Sequence, residues 1–138
     1  HAFPGFHASN LFEIYQMPMS DRIYIAQADV IREIAEKESC VIVGRCADYV
    51  LKDTEHDVLS VFVYADMPYR MQFAEEKLGI KTAKLKETIQ KTDKQRKTYY
   101  DYYTDKIWGD MNSYDLCINV AKTGMEKAAD MVVSCVQQ

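Results

Sequence analysis

Three short runs of apolar, largely β-branched residues predict that this chain is an α/β protein. They lie at residues 40–44, 58–64 and 116–120. The first run is apolar throughout and ends in Gly44, which is the pattern of a strand covered on both faces, as in a parallel sheet. The second run has the same character, and the third is weaker.

Apolar residues at helical spacing predict helices around these runs. One helix begins near Ser20, a residue type that favours the N-cap, and ends around residues 37–39. Another opens at Asp66, carries Pro68 in its first turn and closes at Gly79. The other predicted helices lie near residues 9–16, from about 82 to 103 and from about 125 to 136.

The alternation of helices and strands predicts a three-layer α/β fold with a parallel sheet. Three strands make a thin sheet, because typical sheets have about 4–6 strands. The chain also begins with His1 rather than Met. We therefore expect residues 1–138 to form a single, partial domain whose first strands precede His1. The apolar side chains of Phe3, Phe6, Leu11 and Phe12 are then expected to pack on a missing element or on another subunit.

Composition narrows the class of protein. With 48% apolar and 12% aromatic residues, 138 residues can build a hydrophobic core. No apolar run is long enough for a membrane-spanning helix, and nothing resembles a signal peptide. The four cysteines stand far apart, which favours buried, reduced thiols in the cytoplasm over a disulfide framework. His1, His7 and His56 lack metal-ligand spacing, so we expect no zinc or other metal site.

Charge is distributed unevenly along the chain. The net charge is −4, yet residues 77–106 contain nine Lys or Arg against four Asp or Glu, a local balance of +5 that leaves −9 elsewhere. A basic block in an acidic chain indicates an anionic ligand. The alternative is a lysine-rich helix face that serves only solvation.

The end of the first predicted strand offers a phosphate site. Gly44 lets a ligand approach the backbone, and Arg45 presents a planar fork of donors suited to a phosphate. The helix that follows adds the partial positive charge of its N-terminus. The alternative is that Arg45 pairs with a nearby acid such as Asp48.

The long predicted helix carries a second group of charged residues, which comprises Lys91, Asp93, Lys94, Arg96 and Lys97. Spacings of three and four residues let these side chains share neighbouring faces. If that face covers a ligand, Lys94 and Arg96 would neutralise charge on a transferring phosphoryl group. The alternative is an ordinary salt-bridged helix.

The adjacent tyrosines at 99, 100, 102 and 103 admit two interpretations. They pack in the core, or they stack on nucleobases as part of a nucleic-acid site over residues 91–108. The acidic remainder of the chain argues against nucleic acid as a partner. The sequence contains no glycine-rich phosphate loop of the GxxxxGK[ST] type.

Five segments, taken in order, resemble the cytidylate kinase-like family of P-loop proteins. The similarity covers roughly residues 20–138 and lies at residues 27–49, 61–70, 91–100, 103–110 and 114–119. The resemblance implies a three-layer P-loop NTPase-like sheet and transfer of the γ-phosphate of ATP, with Mg²⁺, to CMP or a similar small acceptor.

The resemblance also implies roles for individual residues around the acceptor. Gly44 and Arg45 match the family's Gly-Arg-Asp pattern, whose Arg holds the acceptor nucleotide, while Cys46 replaces the Asp. Arg32 falls where the family has an upstream acceptor-binding Arg, and we group Asp48 with these residues. The loss of the acidic residue at Cys46 means that selectivity for cytosine is not assured.

A basic lid-like segment, residues 82–108, completes the implied site. Asp93 and Arg96 match the family's Asp-x-x-Arg lid pattern, so Asp93, Lys94 and Arg96 are the candidate catalytic residues. Because the phosphate loop would precede His1, we expect this chain alone to be inactive and a longer parent to be the kinase. The alternative function is a non-catalytic nucleotide-binding or regulatory module, and a homo-oligomer is compatible with either.

Overall fold

The computed structural model describes residues 11–137. The described chain forms helices α1 Leu11–Gln16, α2 Met19–Lys37, α3 Ala47–Val50, α4 Met67–Glu76, α5 Leu85–Tyr103, α6 Val120–Thr123 and α7 Met125–Val136, strands β1 Val61–Tyr64 and β2 Leu116–Asn119, and a 3-10 turn at Met111–Ser113. These elements fall into two compact units: residues up to Val58 with Tyr102–Asp105, and Leu59–Asp101 with the residues from Lys106 onward. The interpretation of residues 1–138 as one domain stays a prediction.

The strands of the second unit confirm a mixed α/β class with parallel pairing. β1 and β2 lie side by side in parallel, with Val61 opposite Leu116 and Tyr64 opposite Asn119. The register is set at the strand entrances, where the backbone N–H of Ser60 donates to Asp115 Oδ2 at 2.8 Å. Helices α4 and α5 connect the two strands, as a parallel crossover requires.

The prediction of a strand at residues 40–44 is wrong for the described structure. This segment carries no strand pairing, and Val41 and Val43 are 93% and 88% exposed. The apolar pattern is typical of a strand buried in a sheet, but a strand forms only where a neighbouring backbone completes its hydrogen bonds. The described sheet therefore has two strands rather than three, and the three-layer P-loop NTPase-like architecture is not confirmed.

The core of the second unit lies between the sheet and α7. Ile118, Val120 and Ala128 are buried, and they pack against partly buried apolar side chains of Val61, Ala65, Tyr69, Leu116 and Val132. Ile118 points into this core because it occupies an alternate position of β2. The prediction of α7 was correct at both ends.

The helix ends confirm some of the sequence-based predictions and contradict others. Asp66 caps α4 as predicted, since its carboxylate accepts the backbone N–H of Tyr69 at 3.0 Å. The helix ends at Glu76, however, three residues before Gly79. The N-cap of α2 is Pro18, so the prediction of Ser20 as the cap is wrong. The predicted contacts of Phe3 and Phe6 lie outside the described residues, as do those of the Leu11 and Phe12 side chains.

Tyrosines of the 99–103 cluster pack in the core, which confirms the structural interpretation for two of them. In the first unit Tyr103 is buried, stacks on Tyr24 with ring centroids 4.2 Å apart, and donates its hydroxyl to Asp21 Oδ1 at 2.8 Å. In the second unit the buried Tyr100 stacks on Tyr114. These two rings are therefore not available for stacking on nucleobases.

The hydroxyl of Tyr103 should matter for stability. We expect Tyr103→Phe to lower the free energy of unfolding by about 1–3 kcal/mol, because it leaves the buried Asp21 carboxylate without that donor. Urea unfolding followed by circular dichroism measures the change. The control is Tyr102→Phe at the exposed neighbouring ring, which should change stability by less than about 0.5 kcal/mol. Equal losses in the two variants would contradict this account.

The cysteines differ from the sequence-based prediction. All four are free thiols, but Cys40 and Cys135 are exposed, Cys117 is half-buried and Cys46 alone is fully buried. The prediction of buried thiols is therefore wrong for Cys40 and Cys135; Cys40 opens the segment that lacks strand partners. Among residues 11–137, no helix is long and apolar enough to cross a membrane.

Candidate functional site

The residues that follow the extended segment 40–43 form an unusual left-handed turn. Gly44, Arg45 and Cys46 have φ values of 71°, 57° and 57°. Glycine adopts this conformation freely, whereas Arg and Cys pay a steric cost of about 1–2 kcal/mol each. The turn closes through the N–H of Ala47, which donates to the carbonyl of Gly44 at 3.2 Å. Strain of this kind in a non-glycine pair is typical of ligand-binding sites.

The turn separates its two side chains by environment. Arg45 is exposed, whereas Cys46 is buried and serves as the N-cap of α3. Arg45 and Asp48 both make interactions within the chain. The turn therefore leaves Arg45 exposed and buries Cys46.

Burial controls the chemistry of Cys46. Desolvation raises the pKa of the thiol from 9.0 to about 12; the negative charge of Asp48 adds to this, and the positive charge of Arg45 opposes it. Cys46 is therefore a neutral thiol at pH 7 and supplies no negative charge where the family pattern has Asp. Because its pKa is raised on folding, the stability linked to this group is complete below about pH 9 and is lost as the pH rises toward 12.

The cysteines should differ in how readily they are alkylated. At about pH 8 we expect iodoacetamide to modify the exposed Cys40 and Cys135 and to leave Cys46 unmodified in the folded protein. With a pKa of about 12, only about one Cys46 thiol in ten thousand is ionised at that pH. Peptide mass mapping measures the extent of reaction, and a denatured sample in which all four react is the control. Modification of Cys46 at the rate of Cys40 would contradict the assignment.

The other predicted acceptor residues belong to the same unit. Arg32 lies on α2, exposed, with Nη1 3.3 Å from Asp29 Oδ1. An exposed pair of this length contributes little free energy, so a phosphate could take its place. Asp48 is half-buried in the first turn of α3. The first unit thus contains Gly44, Arg45, Arg32 and Asp48.

In the second unit, Asp93 is held by a residue that the sequence interpretation did not assign. Arg70, in the first turn of α4, donates Nη1 to Asp93 Oδ2 at 2.7 Å and Nη2 to Oδ1 at 2.6 Å. Both side chains are largely shielded from solvent, and the hydrogen bonds to Asp93 raise the pKa of Arg70 above its usual value. Asp93 therefore joins α5 to the helix that follows β1.

The two neighbouring cations on α5 have no such partner. Lys94 and Arg96 are exposed, and no hydrogen bond or ion pair joins either to another residue in the range 11–137. Lys97 instead pairs with Asp101, at 2.5 Å. With Asp93 and Asp101 engaged elsewhere, Lys94 and Arg96 leave an uncompensated positive charge on this part of the helix.

A signal for Arg70 was present in the sequence. It follows the capping residue Asp66 by four positions, directly after the carboxyl end of β1, where ligands of parallel sheets bind. What the sequence lacked was the pairing across 23 positions that brings Asp93 to it.

Two of the predicted lid residues are cations suited to an anionic ligand. Lys94 and Arg96 are the side-chain types that bind phosphates. Within residues 11–137, no group of three or more His, Cys, Asp or Glu is arranged to hold a metal ion. His56 contacts Glu36 at 3.2 Å. Any Mg²⁺ that accompanies a bound nucleotide would therefore be held mainly by the phosphates.

Comparison with known proteins identifies the family of this chain. The cytidylate kinase-like family matches residues 2–122. A crystal structure of an uncharacterized protein from Eubacterium ventriosum ATCC 27560 superposes with a TM-score of 0.78 at 32% identity, and the match covers 94% of this chain and 74% of that one. A search of the curated proteins found no match. The chain, matched over most of its length, belongs to the cytidylate kinase-like family.

Proposed function

We propose that this protein acts in a nucleoside monophosphate kinase reaction, in which CMP or a similar small acceptor receives the γ-phosphate of ATP. The observation that carries the proposal is the strained turn at Gly44–Cys46, which presents Arg45 at the family's Gly-Arg position. Selection rarely keeps two non-glycine residues in the left-handed region without a function for the geometry.

The acceptor side of the reaction falls to the first unit. The planar fork of Arg45 would bind the phosphate of the acceptor in a bidentate manner, and Arg32 would exchange its exposed contact with Asp29 for the same phosphate. Cys46 is neutral, so it cannot pair with a cation or repel the phosphate. The acceptor phosphate oxygen would then attack the γ-phosphorus, and ADP would leave.

The donor side would use the cations of α5. Charge accumulates on the phosphoryl oxygens in this reaction, and positioned cations supply most of the catalysis. Lys94 and Arg96 are exposed and uncompensated, which suits them to bind the phosphates of ATP. Asp93 would act by anchoring α5 through Arg70 rather than by touching the nucleotide. Bound Mg²⁺ would screen the phosphate charges.

We further propose the P-loop NTPase-like three-layer architecture and a cytoplasmic location. The parallel β1–β2 pair with its helical crossover supports the architecture, and the four free cysteines support a reducing compartment. Nucleic acid is not expected as a partner, because Tyr100 and Tyr103 are in the core.

One observation favours a second candidate, a non-catalytic nucleotide-binding module. Cys46, a neutral thiol, stands where the resemblance places the Asp of the family pattern. Such a module would bind a nucleotide without turnover.

The experiment measures binding and turnover side by side. Calorimetric titrations with ATP, CMP, UMP and AMP are paired with an assay of ADP formation on the same nucleotides. Arg96→Ala should weaken ATP binding about tenfold or more, whereas Lys86→Ala, which removes an exposed cation near the start of the same helix, should not. Binding without ADP formation by the full-length protein supports the second candidate. Failure of every nucleotide to bind would overturn both.

A further inference from the structure

Helix α2 carries a second apolar stripe that its own chain leaves exposed. One face of the helix packs inward through Asp21, Tyr24, Ala28 and Ile31. Another face presents Met19, Ile23, Val30 and Ile34, which are 61%, 49%, 52% and 40% exposed. At 100° per residue these four side chains fall within about 60° of one another, and Ala26 borders the sector on the side of Met19. A contiguous exposed stripe of this kind marks an interaction surface.

Arg22, which has no ion-pair partner within residues 11–137, lies along one edge of this α2 stripe. The Nη2 atom of Arg22 contacts Met19 Sδ at 3.4 Å, and its Nε is buried without a hydrogen-bond partner among the described residues. The same edge carries two acids about two and three turns later, Asp29 and Glu33, which are exposed and hold only the local partners Arg32 and Lys37. Positive charge therefore lies near the start of the edge and negative charge near its end.

We propose that a second copy of this chain covers the α2 stripe, with the two helices antiparallel. A twofold axis near residues 26 and 27 places Met19 opposite the partner subunit's Ile34, and Ile23 opposite the partner subunit's Val30. In an antiparallel pair each edge faces the same edge of the other copy. Arg22 then lies between the partner subunit's Asp29 and the partner subunit's Glu33, and the twofold axis repeats the contact.

Charge complementarity selects this occupant and this direction. Parallel helices would bring the charged edge against the opposite edge, which carries the uncharged Ser20 and Gln27 and leaves Arg22 unpaired. One helix pair buries less than the roughly 1,200 Å² of a stable interface, so the dimer should be reversible and depend on concentration. The proposal does not depend on the kinase function.

Sedimentation velocity of the full chain over about a hundredfold range of concentration tests the proposal. We expect the mass to rise from 16.0 kDa toward twice that value. Val30→Glu should raise the dissociation constant at least about tenfold, because it buries a charge in the stripe. Leu78→Glu, an equally exposed apolar position in the other unit, should leave it unchanged. A monomer at every concentration overturns the proposal.

A pair of charge variants tests the direction without relying on one fold-sensitive change. Arg22→Glu and Glu33→Arg should each weaken self-association, since each brings like charges together at the edge. An equimolar mixture of the two variants should restore it, because both contacts between positions 22 and 33 then join opposite charges. Circular dichroism confirms that both variants are folded. If the mixture associates no better than either variant alone, the antiparallel arrangement is wrong.

Discussion

Replacing Arg45 with alanine is expected to weaken CMP binding by a factor of about 10 to 100, because a bidentate, charge-assisted contact with the acceptor phosphate is lost. Titration calorimetry measures the dissociation constant. Arg45→Lys keeps the charge but not the planar fork, so its loss should be intermediate. Lys37→Ala removes an exposed cation of the same unit that pairs with Glu33, and it should leave CMP binding unchanged.

Backbone strain at the same residue provides a sharper control. Glycine adopts a φ of 57° without steric cost, so Arg45→Gly should keep or raise the free energy of unfolding. The same change removes the guanidinium, so it should also weaken CMP binding. Weaker CMP binding in a variant of equal or greater stability cannot be attributed to unfolding. Unchanged CMP binding in both Arg45→Ala and Arg45→Gly would remove Arg45 from the acceptor site and leave the strained turn without a function.

Breaking the Arg70–Asp93 pair is expected to cost about 1.5–3 kcal/mol of the free energy of unfolding, because either change leaves a shielded charge without its partner. Arg70→Met and Asp93→Asn should each show this loss, and the double variant should lose less than their sum by about 1–2 kcal/mol. Lys97→Met breaks the more exposed pair with Asp101 on the same helix, and it should cost about 0.5 kcal/mol or less.

Nucleotide affinity in the same variants separates anchoring from direct contact. If Asp93 acts through Arg70 to orient α5, both single variants and the double variant should weaken ATP binding by the same factor. If Asp93 touches the nucleotide, Asp93→Asn should weaken binding and Arg70→Met should not. Additive losses of stability in the double variant would show that the pair contributes nothing as a unit.

Local signals predicted the elements whose formation depends on neighbours in sequence. The cap at Asp66, the bounds of α7 and the core of β2 around Ile118 all follow from capping chemistry and periodicity. The N-cap at Pro18 was missed because Ser20, a stronger capping residue type, lies inside the first turn of α2. The prediction that α4 ends at Gly79 is wrong, because this helix ends at Glu76.

Some features of the candidate site could be predicted from the sequence, and others depend on the tertiary structure. Arg45, Arg96 and Lys94 were selected from residue type, position and the family resemblance, and their roles stay a prediction. The local sequence predicts neither the left-handed backbone at Arg45 and Cys46 nor the burial of Cys46. Both depend on how the chain packs around the turn.

What the sequence by itself determined is the family, the order of most elements and the chemical types at the site, because each rests on residues close together in the chain. Only the tertiary structure decided that Asp93 forms an ion pair with Arg70, 23 positions away, and that residues 40–44 remain without strand pairing. An ion pair or a strand requires a partner that folding brings into reach, and no local pattern specifies that partner.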